Sequence, residues 1–310
     1  MPQPRKSLIN LSDTPYYHCV SRCVRRAFLC GKDIYSGRSY EHRRKWVENR
    51  LLKLGRFFCI DICAYAVMHN HTHLVLHVNK NKAQGLTTLE VLQRWHSLHK
   101  GTLLTRRYMD ASQRKYMSEV ELSTVMSAVQ VYRDRLYDIS WFMRLLNEYI
   151  ARLANKEDDC TGRFWEGRFK SQALLDEAAL LACMAYVDLN PVRARIAMQP
   201  IDALFTSARR RIVASKKSQT PKSLMPFVGT TQAKKKHGLP FKLRDYLHLL
   251  QETCNRIKMS WENRHNYHNV SILKRAGINQ CFWFDWVNKI ETAFSTRVSL
   301  DIARTRLASR

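Results

Sequence analysis

The chain has no uninterrupted run of about 18 apolar residues, the length a membrane-spanning helix needs. Nothing in it reads as a membrane protein. Glycine and proline are scarce, 10 and 8 among 310 residues, which excludes a collagen-like or low-complexity class. Acidic residues are scarce too: 26 Asp and Glu face 52 Lys and Arg, leaving a net charge of +26. No apolar segment follows Met1-Pro2-Gln3-Pro4-Arg5-Lys6, which reads against secretory export. The nine cysteines follow no framework spacing and read as the reduced thiols of a cytoplasmic protein. The pairs Cys19 and Cys23, and Cys59 and Cys63, lack the tight spacing of a zinc knuckle. They lie in apolar, strand-like surroundings and read as buried structural residues.

What is present is enough apolar sequence, 45%, to build a core at this length. Disorder throughout is therefore excluded, and one large domain or two smaller ones are expected, at about 100–200 residues each. The charge excess asks for a polyanionic partner, either nucleic acid or an anionic membrane surface.

Tyr16 to Val24 is rich in aromatic and β-branched residues and reads as a strand. Residues 39–54 read as an amphipathic helix stopped by Gly55. Phe57 to Met68 reads as a buried strand, His69-Asn70 as a turn and Thr72 to Val78 as the returning strand of a hairpin. A helix is expected over 86–104. Residues 105–138 read as an insertion or a helical connection. Ile139 to Leu153 reads as a helix, Arg168 to Leu174 as a strand, and Asp176 to Leu189 as a helix with Asp176 at its N-cap. Arg209-Arg210-Arg211, Lys216-Lys217 and Lys234-Lys235-Lys236 mark 201–237 as a basic linker between a first domain, 1–200, and a helical C-terminal extension, 238–310. The charge divides as +12 over 1–200 and +14 over 201–310.

Two stretches carry chemistry. In Asn70-His71-Thr72-His73-Leu74, strand alternation turns His71 and His73 to the same side. Two imidazoles so placed can share a metal ion if a third ligand arrives from elsewhere, although histidine also serves often as a half-buried polar residue. In Tyr186-Val187-Asp188-Leu189-Asn190-Pro191-Val192-Arg193, Tyr186 and Asn190 fall four apart on one helix face. Taken alone, Tyr186 reads as a core-facing aromatic, and Asn190-Pro191 as an N-cap and first-turn pair for a following helix.

Together, His71-Thr72-His73 after an asparagine and Tyr186-x3-Asn190-Pro191-x-Arg193-Ala194 on a later helix resemble the single-tyrosine HUH transposases, most of all their REP-associated tyrosine transposase branch. Tyr16-Tyr17-His18-Cys19-Val20-Ser21-Arg22 and Phe164-Trp165-Glu166-Gly167-Arg168-Phe169 are similar as well, in the same order. Leu239-Pro240-Phe241-Lys242-Leu243-Arg244-Asp245-Tyr246-Leu247 resembles the C-terminal extension of longer bacterial members. The resemblance is strongest over 16–78 and 163–196. It departs from the usual pattern at Thr72, where a hydrophobic residue is common, and at His69, where proline is common. His69 shares the parity of His71 and His73, but its expected role is in the turn.

The resemblance implies an α+β fold, a ferredoxin-type antiparallel sheet of the HUH/Rep kind with helices packed on it. It implies a metal-dependent DNA strand transferase, acting on single-stranded or hairpin DNA. Tyr186 is the implied nucleophile, and His71, His73 and Asn190 are the implied ligands of Mg²⁺ or Mn²⁺. Arg22, Arg25, Arg26, Arg163, Arg168, Lys170 and Arg193 flank these motifs as candidate phosphate contacts, with Trp165 as a candidate base-stacking platform. The resemblance is compatible with a monomer or a homodimer, in a cytoplasmic, nucleoid-associated protein. The competing reading is a repurposed, non-catalytic DNA-binding protein. An RNA-binding protein is a weaker third, since no aromatic RNP-type motif is present.

Overall fold

A computed structural model describes residues 8–24, 29–33, 36–229, 236–261, 271–294 and 296–308. Its centre is the expected hairpin. β2, Ile60–Val67, and β3, His71–Val78, pair antiparallel from Val67↔Thr72 to Ile60↔Val78, with a bulge between Ile62 and Ala64. Phe57 and Phe58 are not part of the strand: Phe57 ends the preceding helix, α1, Arg43–Phe57. Gly55 does not stop that helix. It sits inside α1, where an added Cβ would lie 2.9 Å from Ile62 Cδ1, so it lets the helix press onto β2.

β1, Tyr16–Arg22, pairs antiparallel with β3 on one side, and with β4, Lys170–Leu174, on the other. A short β5, Arg297–Val298, pairs parallel with β4, giving the order β2-β3-β1-β4-β5. Directly paired residues share a face. Tyr17, Cys19, Leu74, Leu76, Tyr65 and Val67 point to the face covered by α1 and by α7, Ile139–Glu157. In α7, Asp138 caps the N-terminus through the amide of Ser140 at 2.6 Å. Phe142, Leu146 and Ile150 of α7 pack into this layer, each worth about 2 kcal/mol by apolar burial. The opposite face carries His18, Val20, His73, Val75 and Gln172 and meets α8, Glu177–Asp188.

Every residue of α8 from Ala178 to Asp188 is buried. A helix apolar all round must be covered on all sides. The sheet covers one side, and α11, Leu243–Trp261, with α13, Gln280–Ala293, covers the rest. Asp176 caps α8 through the Ala179 amide at 2.7 Å, as its sequence indicates. Tyr246, Leu249, Leu250, Trp286 and Ile290 thus share one core with the sheet, and the helical extension does not build a core of its own. α12, Ser271–Arg275, and α14, Leu300–Ala308, complete this layer.

Residues 80–136 form a side lobe: α2, Lys80–Gln84; α3, Thr88–His96; α4, Leu103–Met109; α5, Ala111–Arg114; and α6, Glu119–Leu136. Val91, Leu92, Trp95, Val125, Val129 and Tyr132 give it a separate small core. The single helix expected over 86–104 is two. The break contains Gly101 at φ +73, where a Cβ would strike the His96 ring at 2.3 Å.

The basic linker expected over 201–237 requires correction. Ser207–Lys216 is a helix, α10, docked against β2. β2 is an edge strand, and edge groups need partners. Val67 N donates to Phe205 O at 3.2 Å, Tyr65 N donates to Ser207 Oγ at 2.9 Å, and Arg211 Nη2 donates to Cys63 O at 2.6 Å. Arg210 pairs with Glu48 at 2.7 Å. The arginine run reads as solvent-facing from charge alone, yet Arg211 closes the sheet edge and Arg210 turns in to Glu48 and the Tyr65 hydroxyl. No cysteine is joined in a disulfide, and Cys19, Cys23, Cys59 and Cys63 are buried. Among the described residues no helix is long and apolar enough to cross a membrane.

Candidate active site

β3 starts directly after the Met68-His69-Asn70 turn, so His71 and His73 leave its first residues on the face toward α8. α8 ends at Leu189, and the chain turns into a short helix, α9, Asn190–Arg193, with Pro191 in its first turn. Leu189, not Asn190, holds the cap position, and no side chain caps α9. The Asn190 side chain goes elsewhere: its Nδ2 lies 2.8 Å from His73 Nε2. Tyr186, one turn earlier, stands with its ring 5.4 Å from that of His73. Strand and helix residues more than 110 positions apart thus converge on one point.

A chain of hydrogen bonds fixes the protons there. Gln172 Nε2 donates to the Phe294 carbonyl at 2.5 Å, which turns Oε1 of Gln172 toward His18 Nδ1 at 2.7 Å. His18 must then carry its proton on Nδ1 and accept at Nε2, 3.0 Å from His73 Nδ1. His73 in turn is protonated on Nδ1 and accepts at Nε2 from Asn190. The direction is consistent from Asn190 to Phe294. His71 follows the same pattern independently, with Nδ1 donating to Asn70 Oδ1 at 2.5 Å. The Nε2 lone pair of His71 is left for a ligand, while that of His73 is taken by the Asn190 carboxamide and is released when that amide turns its oxygen inward. Burial, with Arg22 beside it, lowers the His71 pKa to about 4. Burial and the neighbouring His18 and His71 push His73 well below its ordinary value, and burial lowers His18 as well. All three rings are neutral at pH 7.

The Tyr186 hydroxyl donates to Glu291 Oε2 of α13 at 2.6 Å. The Arg193 guanidinium lies 3.8 Å above the Tyr186 ring and donates to the Tyr186 and Val287 carbonyls at 3.2 and 3.1 Å. Burial pushes the phenol above its ordinary pKa; Arg193 opposes the rise and Glu291 adds to it, so the hydroxyl keeps its proton at neutral pH. Burial alone would raise the Glu291 carboxyl, but the Tyr186 hydrogen bond, the facing His71 and His18 rings and Arg22 at 3.9 Å leave it below the usual glutamate value. It is a carboxylate able to take a proton. A cleft of about 430 Å³ runs beside it, lined by Val20, Lys170, Gln172, Glu291, Phe294 and Arg306.

The expected phosphate contacts divide. Arg22, Arg163, Arg168 and Lys170 are exposed. Arg25 and Arg26 lie outside the described residues. Arg193 is corrected: it packs within the protein over Tyr186 rather than facing a ligand. Trp165 is corrected too. It is 9% exposed, its Nε1 donates to the Asn147 carbonyl at 2.8 Å, and its ring packs edge-on against Phe164 at 5.0 Å. A ring so enclosed offers no face to a base. His69 stays in the turn, 4.0 Å from Glu41. Three members of the cluster escape sequence reading. His18 lies within a quoted motif on the right face of β1, but only the register with β3 reveals its partner. Gln172 and Glu291 carry no local signal.

The fold and this cluster define an α+β protein with a histidine–asparagine–tyrosine centre between its sheet and its most buried helix. No family model matches the chain, and no curated protein does. A solved structure of the REP-associated tyrosine transposase bound to a REP hairpin is similar at 14% identity, with a TM-score of 0.40, over 71% of this chain and 89% of that one. At that identity and score the likeness fixes neither family nor reaction.

Proposed function

We propose that the chain cleaves and rejoins single-stranded DNA, hairpin DNA in particular, through a covalent 5′-phosphotyrosine on Tyr186. The observation that carries the reading is the meeting of Asn190 and His73 at 2.8 Å beside the Tyr186 ring. The net charge of +26 supports a nucleic-acid partner over a neutral one. His71, His73 and Asn190 would hold a divalent ion. The residues fit once the Asn190 carboxamide turns over: both rings are neutral, His71 Nε2 is open, and the flip would free His73 Nε2 and bring the amide oxygen in as the third donor. Nitrogen and amide-oxygen donors with no thiolate suit Mn²⁺ or Mg²⁺ better than a structural zinc. Such an ion supplies Lewis-acid polarisation of a phosphate oxygen.

The protein's own groups do the rest. The Tyr186 oxygen attacks phosphorus in line and its proton passes to Glu291. The bond to the leaving 3′ oxygen breaks, and that oxygen takes up a proton to leave as a 3′-hydroxyl. The new phosphodiester on tyrosine keeps the strand for rejoining. Exposed Arg22, Arg168 and Lys170 are available to phosphates approaching along the adjoining cleft.

The test uses end-labelled hairpin DNA with Mn²⁺ and denaturing electrophoresis. A labelled band at the mass of the protein, with the modified peptide containing Tyr186, is the expected result. Hairpin binding with no adduct across a broad substrate set would leave the non-catalytic DNA-binding reading in its place.

His18 supports the proposed ligand set by holding His73 in its tautomer. Replacing His18 with alanine is expected to weaken Mn²⁺ binding about 10- to 100-fold by titration calorimetry, without removing any ligand. The pH response has a definite sign. In the unfolded chain these histidines protonate near 6.5, whereas folded His71 resists until about 4. Stability is therefore full above about pH 6.5 and falls as pH drops toward 4, and Mn²⁺ affinity should hold well below pH 6.5. Denaturant midpoints and calorimetry across pH 4–7 check both.

A further inference from the structure

A second cluster of ligand-type side chains lies outside this centre. Asp61 on β2 stands directly opposite His77 on β3 in the strand register, and His77 Nδ1 lies 3.0 Å from Asp61 Oδ2. His237, from the stretch that leads into α11, brings its Nε2 to 2.8 Å from the same oxygen. The three donor atoms all lie within 4.8 Å of one another. His77 follows His73 by four residues on β3, which at about 3.3 Å per residue sets this cluster some 13 Å along the strand from the nearer histidine of the first centre. The two groups of ligands are separate.

We propose that Asp61, His77 and His237 form a zinc-class divalent metal site that fastens the stretch leading into α11 to β2. Two imidazole nitrogens and one carboxylate oxygen are a ligand set that Zn²⁺ accepts, with a remaining position for water. Metal–ligand bonds of about 2.0–2.2 Å set tetrahedral donors roughly 3.3–3.6 Å apart, a spacing that three donors within 4.8 Å of one another reach with small side-chain shifts. Two of the ligands are held rigidly before any ion arrives. Asp61 and His77 are locked by strand pairing, and the His77 ring packs on Tyr16 at 4.7 Å. Burial would raise the Asp61 carboxyl, but hydrogen bonds from His77 and His237 outweigh it and keep the group ionised. The third ligand comes from outside the sheet: His237 is 45% exposed and its ring lies 5.1 Å from that of His77. The same stretch already touches the edge strand through Met225 N to Ile62 O at 2.9 Å, and closes on itself through Val228 N to Leu239 O at 3.0 Å. A metal at Asp61 would fasten its far end.

The experiment titrates the untagged full chain with Zn²⁺ by calorimetry, and with Co²⁺ by visible absorption. The expected result is one equivalent that survives His71→Ala but is lost, or weakened at least tenfold, in His237→Ala and in Asp61→Asn. Zinc should also raise the melting temperature of the parent and of His71→Ala, but not of His237→Ala. His237 is largely exposed, so its variant tests the site without threatening the fold. Equal zinc stoichiometry and affinity in the parent, His237→Ala and Asp61→Asn would overturn the proposal. So would a parent chain that binds no zinc beyond the equivalent lost in His71→Ala, which would leave a hydrogen-bonded carboxylate–imidazole cluster only.

Discussion

Tyr186→Phe is expected to abolish the covalent adduct, by at least about 10⁴-fold, while hairpin binding stays within about twofold of the parent. The substitution removes one oxygen and nothing else from a ring held by helix packing and by the Arg193 guanidinium at 3.8 Å. The phenylalanine ring keeps that position, so the neighbouring groups remain in place. Its cost to stability is limited to the hydrogen bond to Glu291, about 1.5–3 kcal/mol for a bond to a charged acceptor. Tyr16 and Tyr17 of the neighbouring β1 cannot take over, because they project from its far end, opposite His77 and Leu76. Glu291→Gln gives a contrasting result. It keeps a polar partner near the Tyr186 hydroxyl but cannot take the proton, and general-base assistance is commonly worth about 10²–10⁴ in rate. Adduct formation should slow by that factor and not vanish. Single-turnover rates of adduct formation, beside filter binding of the same hairpin, separate the two variants. An unchanged rate in Glu291→Gln would remove the proton-acceptor role and leave Tyr186 as nucleophile.

The parts of this molecule that were legible in the sequence are those written in local periodicity. The hairpin read over 57–78, α7 and α8 follow from apolar spacing, turn residues and the Asp176 cap. His71 and His73 could be placed on one face because strand alternation requires no knowledge of the rest of the fold. Their convergence with Tyr186 and Asn190 was expected from resemblance alone; periodicity gives the face of each element, not which faces meet. His18, Gln172 and Glu291 were invisible for the same reason. Each joins the cluster through register or through packing of a distant helix, and a lone His, Gln or Glu has many uses. Arg211 misled in the opposite sense. Charge runs are usually solvated, and only the unpaired edge of β2 turns this one inward. Trp165 misled because a tryptophan among arginines reads equally as a stacking surface or as core, and its indole N–H is answered by the Asn147 carbonyl.

The largest expected loss of stability lies where α8 meets the region that composition marked as a linker. Asp188→Ala should destabilise the fold by about 4 kcal/mol. Asp188 is fully buried at the end of α8, and its carboxyl gathers three donors from two other segments. The Ala208 amide donates to Oδ1 at 2.9 Å, the Ser207 hydroxyl donates to the same oxygen, and the Tyr246 hydroxyl donates to Oδ2 at 2.7 Å. Burial pushes this carboxyl above its ordinary pKa, while Arg211 and these donors oppose the rise. Alanine would strand all three donors in an apolar interior, at about 1–3 kcal/mol each before relaxation. The loss would not stay local. Ser207 and Ala208 form the first turn of α10, which closes the edge of β2, and Tyr246 lies on α11, which covers α8. With about 2–4 °C of melting temperature per kcal/mol for chains somewhat smaller than this, a fall of roughly 10 °C is expected. Asp188→Asn keeps one acceptor oxygen and should cost about half as much. If both variants melted within 2–3 °C of the parent, the junction between α8, α10 and α11 would not depend on this carboxyl. If the expected fall is found, the fold depends on residues 201–216 as much as on the strands they cover.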